Sequence, residues 1–312
     1  MSHSEANTNI TVTVFGGTGF LGHRICEKLL RRGVDVRIAA RKPHEFQVPQ
    51  DAIGKTAEVE TNILDAEDVA SAIDGADGVV NAVSLYVEKG NLTFKEIHVD
   101  GAARVAEAAR TRGCRRLVHL SGIGSDAASS SPYVRSRAEG EKAVRSNFAD
   151  ATIFRPSVMF GEDDSFLNRL VGLARWLPVL PLVGNGKTKL QPAAADNVAD
   201  AACAVLTAAE EPASVYEFGG PEILTYRELL EKVVASAGRR RFFLPVPKPV
   251  WDGLATAGRL LPEPPLTEGQ VALLKKDNVA SKECPGFAEL GVRPIPVADV
   301  LAGIVNRNAH PD

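Results

Sequence analysis

The chain has 312 residues, 45% hydrophobic and 24% charged, with a formal net charge of −3 and a pI near 6.1. This is ordinary globular composition without the basic excess that nucleic-acid binding leaves on a sequence, so nucleic acid is excluded as a partner. No apolar run approaches the roughly 20 residues of a membrane-spanning helix, and the polar start MSHSEANTNI lacks a signal-peptide core, so a cytoplasmic protein is expected, resting at most on the inner face of a membrane.

Residues 10–15 (ITVTVF) form a β-branched run that reads as a strand, followed by glycines and a helical pattern over Phe20–Arg31 that Gly33 terminates. Val34–Ala40 is a second strand, Thr56–Glu60 a third, and Asp65–Ile73 a helix capped by Asp65. Gly78–Val83 then reads as a strand, Phe94–Arg112 as a long helix and Arg116–Leu120 as a strand. Pro132–Asn147 has proline in its first turn and reads as a helix, and Ala151–Phe154 as the next strand. Strands alternating with helices predict an α/β fold, a doubly wound parallel sheet of the Rossmann type. After residue 155 prolines and glycines thicken, and helices at Asn197–Ala209 and Tyr226–Ala237 bracket a strand at Val215–Phe218. The expected organisation is a nucleotide-binding domain over 1–155, with contributions from about 190–220, and a smaller, partly interleaved α/β region over 156–312 for substrate or partner. Cys26, Cys114, Cys203 and Cys284 form no C-x-x-C pair, so neither a metal site nor a disulfide framework is signalled.

The chemistry concentrates in V-F-G-G-T-G-F-L-G, where Gly16, Gly19 and Gly22 stand three residues apart between the first strand and helix. The first glycine permits the tight turn, the second lets backbone approach a pyrophosphate, and the third lets helix and sheet close up. Thr18, Phe20 and Leu21 complete the loop and the helix N-terminus, where free amides and the macrodipole favour anions. At the end of the second strand Ala39-Ala40-Arg41-Lys42 offers cations and no carboxylate. That suits the 2′-phosphate of NADP, read by Arg41 with Lys42 beside it, over the 2′-hydroxyl of NAD, although NAD stays open and the two cations also fit a solvated turn. Asn62 and Ile63 follow the third strand where an adenine would lie, and Asn81-Ala82-Val83 closes the fourth beside the cofactor; turn-capping accounts for either asparagine as well.

Ser121 ends the fifth strand, and the next helix opens Pro132-Tyr133-Val-Arg-Ser-Arg137. The i, i+4 spacing puts Tyr133 and Arg137 on one helix face. This arrangement resembles the short-chain dehydrogenase/reductase superfamily. There a tyrosine is the acid/base, a serine orients the substrate, and the lysine of Y-x-x-x-K holds the nicotinamide ribose and lowers the tyrosine pKa. The lysine's place is taken here by Arg137, which keeps the charge in a longer, planar fork.

Leu117-Val-His-Leu-Ser-Gly-Ile-Gly, Phe154-Arg-Pro-Ser-Val-Met-Phe-Gly, Gly184-Asn-Gly-Lys-Thr-Lys-Leu-Gln-Pro and Tyr216-Glu-Phe-Gly-Gly-Pro-Glu narrow the resemblance. They look like the atypical branch of epimerase/dehydratase-like proteins that contains the alpha-subcomplex subunit 9 of mitochondrial complex I and its bacterial relatives. The resemblance implies a tightly held NADP(H), an accessory role beside complex I subunits or in quinone metabolism, and Pro156 and Ser157 lining the nicotinamide after strand six. The competing expectation is an active NADP-dependent reductase, epimerase or dehydratase on a small carbonyl compound, with Ser121, Tyr133 and Arg137 catalytic. Asp196 reads as a helix N-cap and His98 as a hydrogen-bonded packing residue. The stretch from Arg239 to Leu261 sets basic residues beside aromatic and leucine anchors, and fits a membrane or partner contact as well as the core of the small region.

Overall fold

The computed structural model describes residues 10–247, 250, 251, 253, 274 and 276–309; the part of the basic–aromatic stretch beyond 253 lies outside them. The first half runs β1 (Thr11–Phe15), α1 (Phe20–Arg31), β2 (Asp35–Ala40), β3 (Thr56–Glu60), α2 (Ala66–Ile73), β4 (Gly78–Asn81), α3 (Ala102–Thr111), β5 (Arg116–Leu120), α4 (Pro132–Asn147) and β6 (Thr152–Pro156). It continues with β7 (Met159–Phe160), α5 (Ser165–Trp176), β8 (Val179–Val183), β9 (Lys189–Leu190), β10 (Ala193–Ala194), α6 (Ala195–Thr207), β11 (Val215–Phe218), β12 (Leu224–Thr225), α7 (Tyr226–Ser236), β13 (Phe242–Val246) and α8 (Val297–Ala309).

Seven strands make one sheet in the order β11-β6-β5-β4-β1-β2-β3, every pairing parallel. The strands of such a sheet are covered on both faces, which is why β1 is buried from Val12 to Phe15, with the hydroxyl of Thr13 satisfied by the Ala72 carbonyl at 2.8 Å. One face carries α1 and α6 over a core that includes Ile25, Leu29, Val198 and Cys203; the other carries α2, α3 and α4 over Val69, Ile73, Val105 and Val144. A third core, with Leu167, Val171, Leu229, Val233 and Leu301, is built by α5, α7 and α8 around the short strands. Strand order reverses between β1 and β4, and the carboxyl ends of those two strands lie level, Phe15 opposite Asn81. A crevice outside that point is where such sheets bind ligands.

Three local features differ from the sequence expectation. The helix expected over Phe94–Arg112 opens as a π-helix at Lys95–Gly101. Its wider turn brings the His98 carbonyl against Gly140 of α4, so close that a Cβ on Gly140 would lie 2.1 Å from that oxygen. Second, Asp196 is not the N-cap of α6: β10 runs straight into the helix, Ala194 takes the cap position without a side-chain bond, and Asp196 sits in the first turn. Its carboxylate instead reaches Arg24 at 3.3 Å and Lys28 at 3.7 Å, tying α6 to α1 beside the Lys28–Asp200 pair. Third, β6 runs two residues beyond Phe154 because β11 pairs with it as far as Pro156. Asp65 does cap α2, accepting from the amides of Glu67 and Asp68.

Candidate functional site

The loop after β1 is shaped by its glycines. Gly16 has a φ of +77°, its amide donates to the Ala39 carbonyl at 2.9 Å, and a Cβ there would stand 3.2 Å from the Ala82 backbone. A side chain on Gly22 would put its Cβ 2.1 Å from the Gly16 carbonyl oxygen, so α1 can start this close to the loop only with glycine at that position. Gly19 precedes α1 without a side-chain cap, and the first turn holds no acidic residue. The amides of that turn therefore have neither an intrahelical acceptor nor a competing carboxylate, and they carry the positive end of the macrodipole.

This N-terminus faces a cavity of about 250 Å³ over the carboxyl ends of β1 to β4. Gly16, Thr18, Gly19, Arg41, Asn62, Ile63, Ala82 and Val83 all border it. Phe20 and Leu21 do not border it: the Arg24 guanidinium stacks 4.5 Å over the Phe20 ring, and the Leu21 side chain is core. The two cations after β2 separate, since Lys42 pairs with Glu45 at 3.1 Å while Arg41 stays exposed at the cavity with no ion-pair partner among the described residues. Asn62 and Asn81 both bend the backbone, their side chains accepting from the amides of Leu64 and Val83. Asn81 thereby fixes the Ala82–Val83 turn against Gly16. The loop and helix end fit the pyrophosphate of a dinucleotide, because the cradle has space only for glycine and offers donors to an anion.

Ser121, Tyr133 and Arg137 do not border that cavity; they lie where β5 and α4 meet. The Ser121 hydroxyl donates to the Glu141 carboxylate, which in turn takes a forked pair of hydrogen bonds from Arg155. Burial alone would raise the Glu141 pKa, yet the bonds from Arg155 and Ser121 hold it below the ordinary carboxylate range. Ser125 offers its own proton to the Gly122 carbonyl at 2.8 Å. A hydroxyl has one proton to give, so that of Ser121 is committed to Glu141.

Tyr133 is 8% exposed, with the rings of Tyr86, Phe94 and His98 between 5.6 and 5.9 Å away. Burial pushes its phenol up to about 12 against the opposing charge of Arg137. Arg137 lays its guanidinium 6.0 Å from the Tyr133 ring centre and donates to Ser84 Oγ at 3.1 Å. His98 is locked by both ring nitrogens, to the Leu85 amide at 3.0 Å and Ser136 Oγ at 2.9 Å, and burial drives it down to about 3, so it packs as a neutral ring. His119, on β5 between these groups, is held down to about 4 by burial first and Arg137 second, and its Nδ1 has no hydrogen-bond partner among the described residues.

At the end of β6, the Pro156 carbonyl accepts from the Ile123 amide at 3.0 Å. The Ser157 hydroxyl is bound to Asn278, whose side-chain amide reaches the Ile123 carbonyl at 3.1 Å. Ser157 therefore clasps the loops after β5 and β6 together. Sequence reasoning passed over Glu141 and Asn278. Glu141 had a signal, standing four residues after Arg137 on the face of Tyr133; Asn278 had none.

The profile of the NAD dependent epimerase/dehydratase family matches residues 12–219. The chain is 31% identical over 299 residues to NADH dehydrogenase (ubiquinone) 1 alpha subcomplex subunit 9, mitochondrial, of Rattus norvegicus, covering 93% of this chain and 78% of that one. It is 28% identical over 257 residues to a ceramide reductase of Caulobacter vibrioides, covering 80% and 77%. Among solved structures, the UDP-glucose 4-epimerase of Thermus thermophilus in complex with NAD superposes with a TM-score of 0.69 at 21% identity, covering 97% of this chain and all of that one. At that identity the likeness is one of fold.

Proposed function

The chain belongs to the NAD dependent epimerase/dehydratase family, and from that premise we propose that it holds NADP(H) as a structural nucleotide and serves as an accessory or assembly component of a respiratory NADH:quinone oxidoreductase or of quinone metabolism. In this reading the pyrophosphate lies on the first turn of α1, over Gly16, Thr18, Gly19 and the amides of Phe20, Leu21 and Gly22. Arg41 takes the 2′-phosphate, with Lys42 held off by Glu45. Asn62 and Ile63 border the adenine, and Ala82 and Val83 border the pyrophosphate and ribose. Ser121, Tyr133, Arg137, Pro156 and Ser157 surround the nicotinamide end. A bound NADPH would bring hydride-donor chemistry to that end; the side chains there are arranged to hold it unspent.

The observation that carries the accessory role is the state of Ser121 and Tyr133. An acid/base tyrosine at neutral pH needs a pKa brought down from about 10 toward 7, whereas burial raises Tyr133 to about 12. The Ser121 proton, which would polarise a carbonyl, is spent on Glu141. Homology to respiratory subunits supports the partner class, and the third core, within residues 156–312, is the region we assign to it. None of the described helices is long and apolar enough to cross a membrane, and we place the protein on the cytoplasmic side.

The test is gentle purification of the native protein, with mass spectrometry of the retained nucleotide and of co-purifying chains. NADP(H) together with respiratory subunits is the expected result. Purification without those subunits, joined to a carbonyl-dependent loss of NADPH absorbance that Tyr133→Phe abolishes, would establish the reductase reading instead.

A further inference from the structure

The outer face of the ribbon formed by β8 and β13 is apolar and uncovered among the described residues. β13 pairs in parallel with β8, Phe242 opposite Val179 and Leu244 opposite Pro181. The alternate residues Leu180 and Leu182 turn into the third core, which leaves Val179, Phe242 and Leu244 outward, with Phe242 80% exposed. Trp176, at the end of α5, is 86% exposed, and Leu173 and Leu177 flank it. The two parts are held together by Arg241, which donates to the carbonyls of Ala174 at 2.8 Å and Arg175 at 2.9 Å. Exposed large apolar side chains gathered in one patch mark a binding surface on a water-soluble protein.

Charge distinguishes the occupant. Residues 165–183 and 237–247, which build the patch, contain Arg169, Arg175, Arg239, Arg240 and Arg241 and no aspartate or glutamate, in a chain whose net charge is −3. Arg239 and Arg240 are exposed beside Phe242. Strand addition by a protein partner is disfavoured, since Pro245 removes an amide donor from the middle of β13 and Pro181 does the same in β8. A tryptophan, a phenylalanine and leucines beside the exposed guanidinium groups of Arg239 and Arg240 match a layer of anionic headgroups over acyl chains.

We propose that this face docks on an anionic lipid bilayer, Trp176, Phe242 and Leu244 entering the interface and Arg239 and Arg240 meeting the headgroups. The proposal gives the membrane contact expected from the sequence a definite face, uses none of the nucleotide cradle, and needs no bound nucleotide.

The full chain contains two tryptophans, and the second, Trp251, is 9% exposed with its ring nitrogen bound to the Leu182 carbonyl at 3.2 Å. A shift in emission on binding therefore reports on Trp176. The experiment is sedimentation with phosphatidylcholine vesicles and with equimolar phosphatidylcholine–phosphatidylglycerol vesicles, emission being recorded in parallel. The expected result is binding and a blue shift with the anionic vesicles only. Trp176→Ser and Phe242→Ser should each weaken it about tenfold or more, and the paired Arg239→Glu, Arg240→Glu variant should abolish it. All of these residues are exposed, so thermal melting and nucleotide content should match the parent, and this separates failure of the docking surface from failure of the nucleotide reading. Absence of binding to the anionic vesicles, equal binding to the neutral ones, or binding that survives Trp176→Ser combined with Phe242→Ser would each overturn the proposal.

Discussion

Replacing Glu141 by glutamine keeps the side chain's size and leaves a carbonyl oxygen for Ser121 while removing the charge that faces Arg155. The parent pair is deep: the Glu141 side chain is 9% exposed and that of Arg155 30%, with Nη2 and Oε2 2.5 Å apart. Removing one partner of such a pair costs about 3–5 kcal/mol, because the other charge stays desolvated. Glu217 remains 3.5 Å from Arg155 and offsets part of the loss, which places Glu141→Gln at the lower end, about 3 kcal/mol at pH 7. For a domain this large that amounts to a fall in melting temperature of about 5 °C or more. Urea unfolding should show the same loss as a lower midpoint at unchanged slope. The effect has a pH signature. The folded carboxyl titrates below its ordinary value of 4.5, so its contribution is complete above that value and disappears as pH falls through the folded one. The parent and Glu141→Gln curves should then draw together as pH falls below 4.5. A difference under about 0.5 kcal/mol at pH 7 would place Glu141 among exposed pairs and refute the buried triad, as would a difference that widens in acid.

Arg41→Ala should weaken NADP about tenfold or more and leave NAD nearly unchanged, by calorimetry on nucleotide-free protein; equal weakening would mean that Arg41 does not read the 2′-phosphate. Gly22→Ala would force its Cβ to within 2.1 Å of the Gly16 carbonyl, so α1 must withdraw from the loop. Nucleotide retained through purification should fall to below about a tenth of the parent's, and unchanged retention would contradict the cradle. His98 and His119 are held near 3 and 4, mainly by burial, against about 6.5 in the unfolded chain. Unfolding takes up protons below that value, so stability should be full above about pH 6.5 and decline as pH falls toward 4. A flat series of urea midpoints between pH 7 and pH 5 would show that the two rings are accessible.

The sequence alone determined what local chemistry dictates. Alternation of β-branched runs with amphipathic segments determined the parallel sheet, and Gly16, Gly19 and Gly22 determined the turn that starts α1. Asp65 gave the start of α2, and the bounds of α4 followed from Pro132 and its periodicity. In each case the responsible residues are neighbours along the chain or along one helix face. Tertiary structure decided the state of the groups at the far end of the crevice. Glu141 reaches Arg155 across 14 positions, Ser157 reaches Asn278 across 121, and Arg24 reaches Asp196 across 172. Whether a hydroxyl is free or bound, or a phenol wet or buried, depends on which distant segment packs against it. The sequence left Ser121 and Tyr133 open between chemistry and packing; in the folded chain Glu141 holds the serine hydroxyl, and the rings of Tyr86, Phe94 and His98 surround the tyrosine.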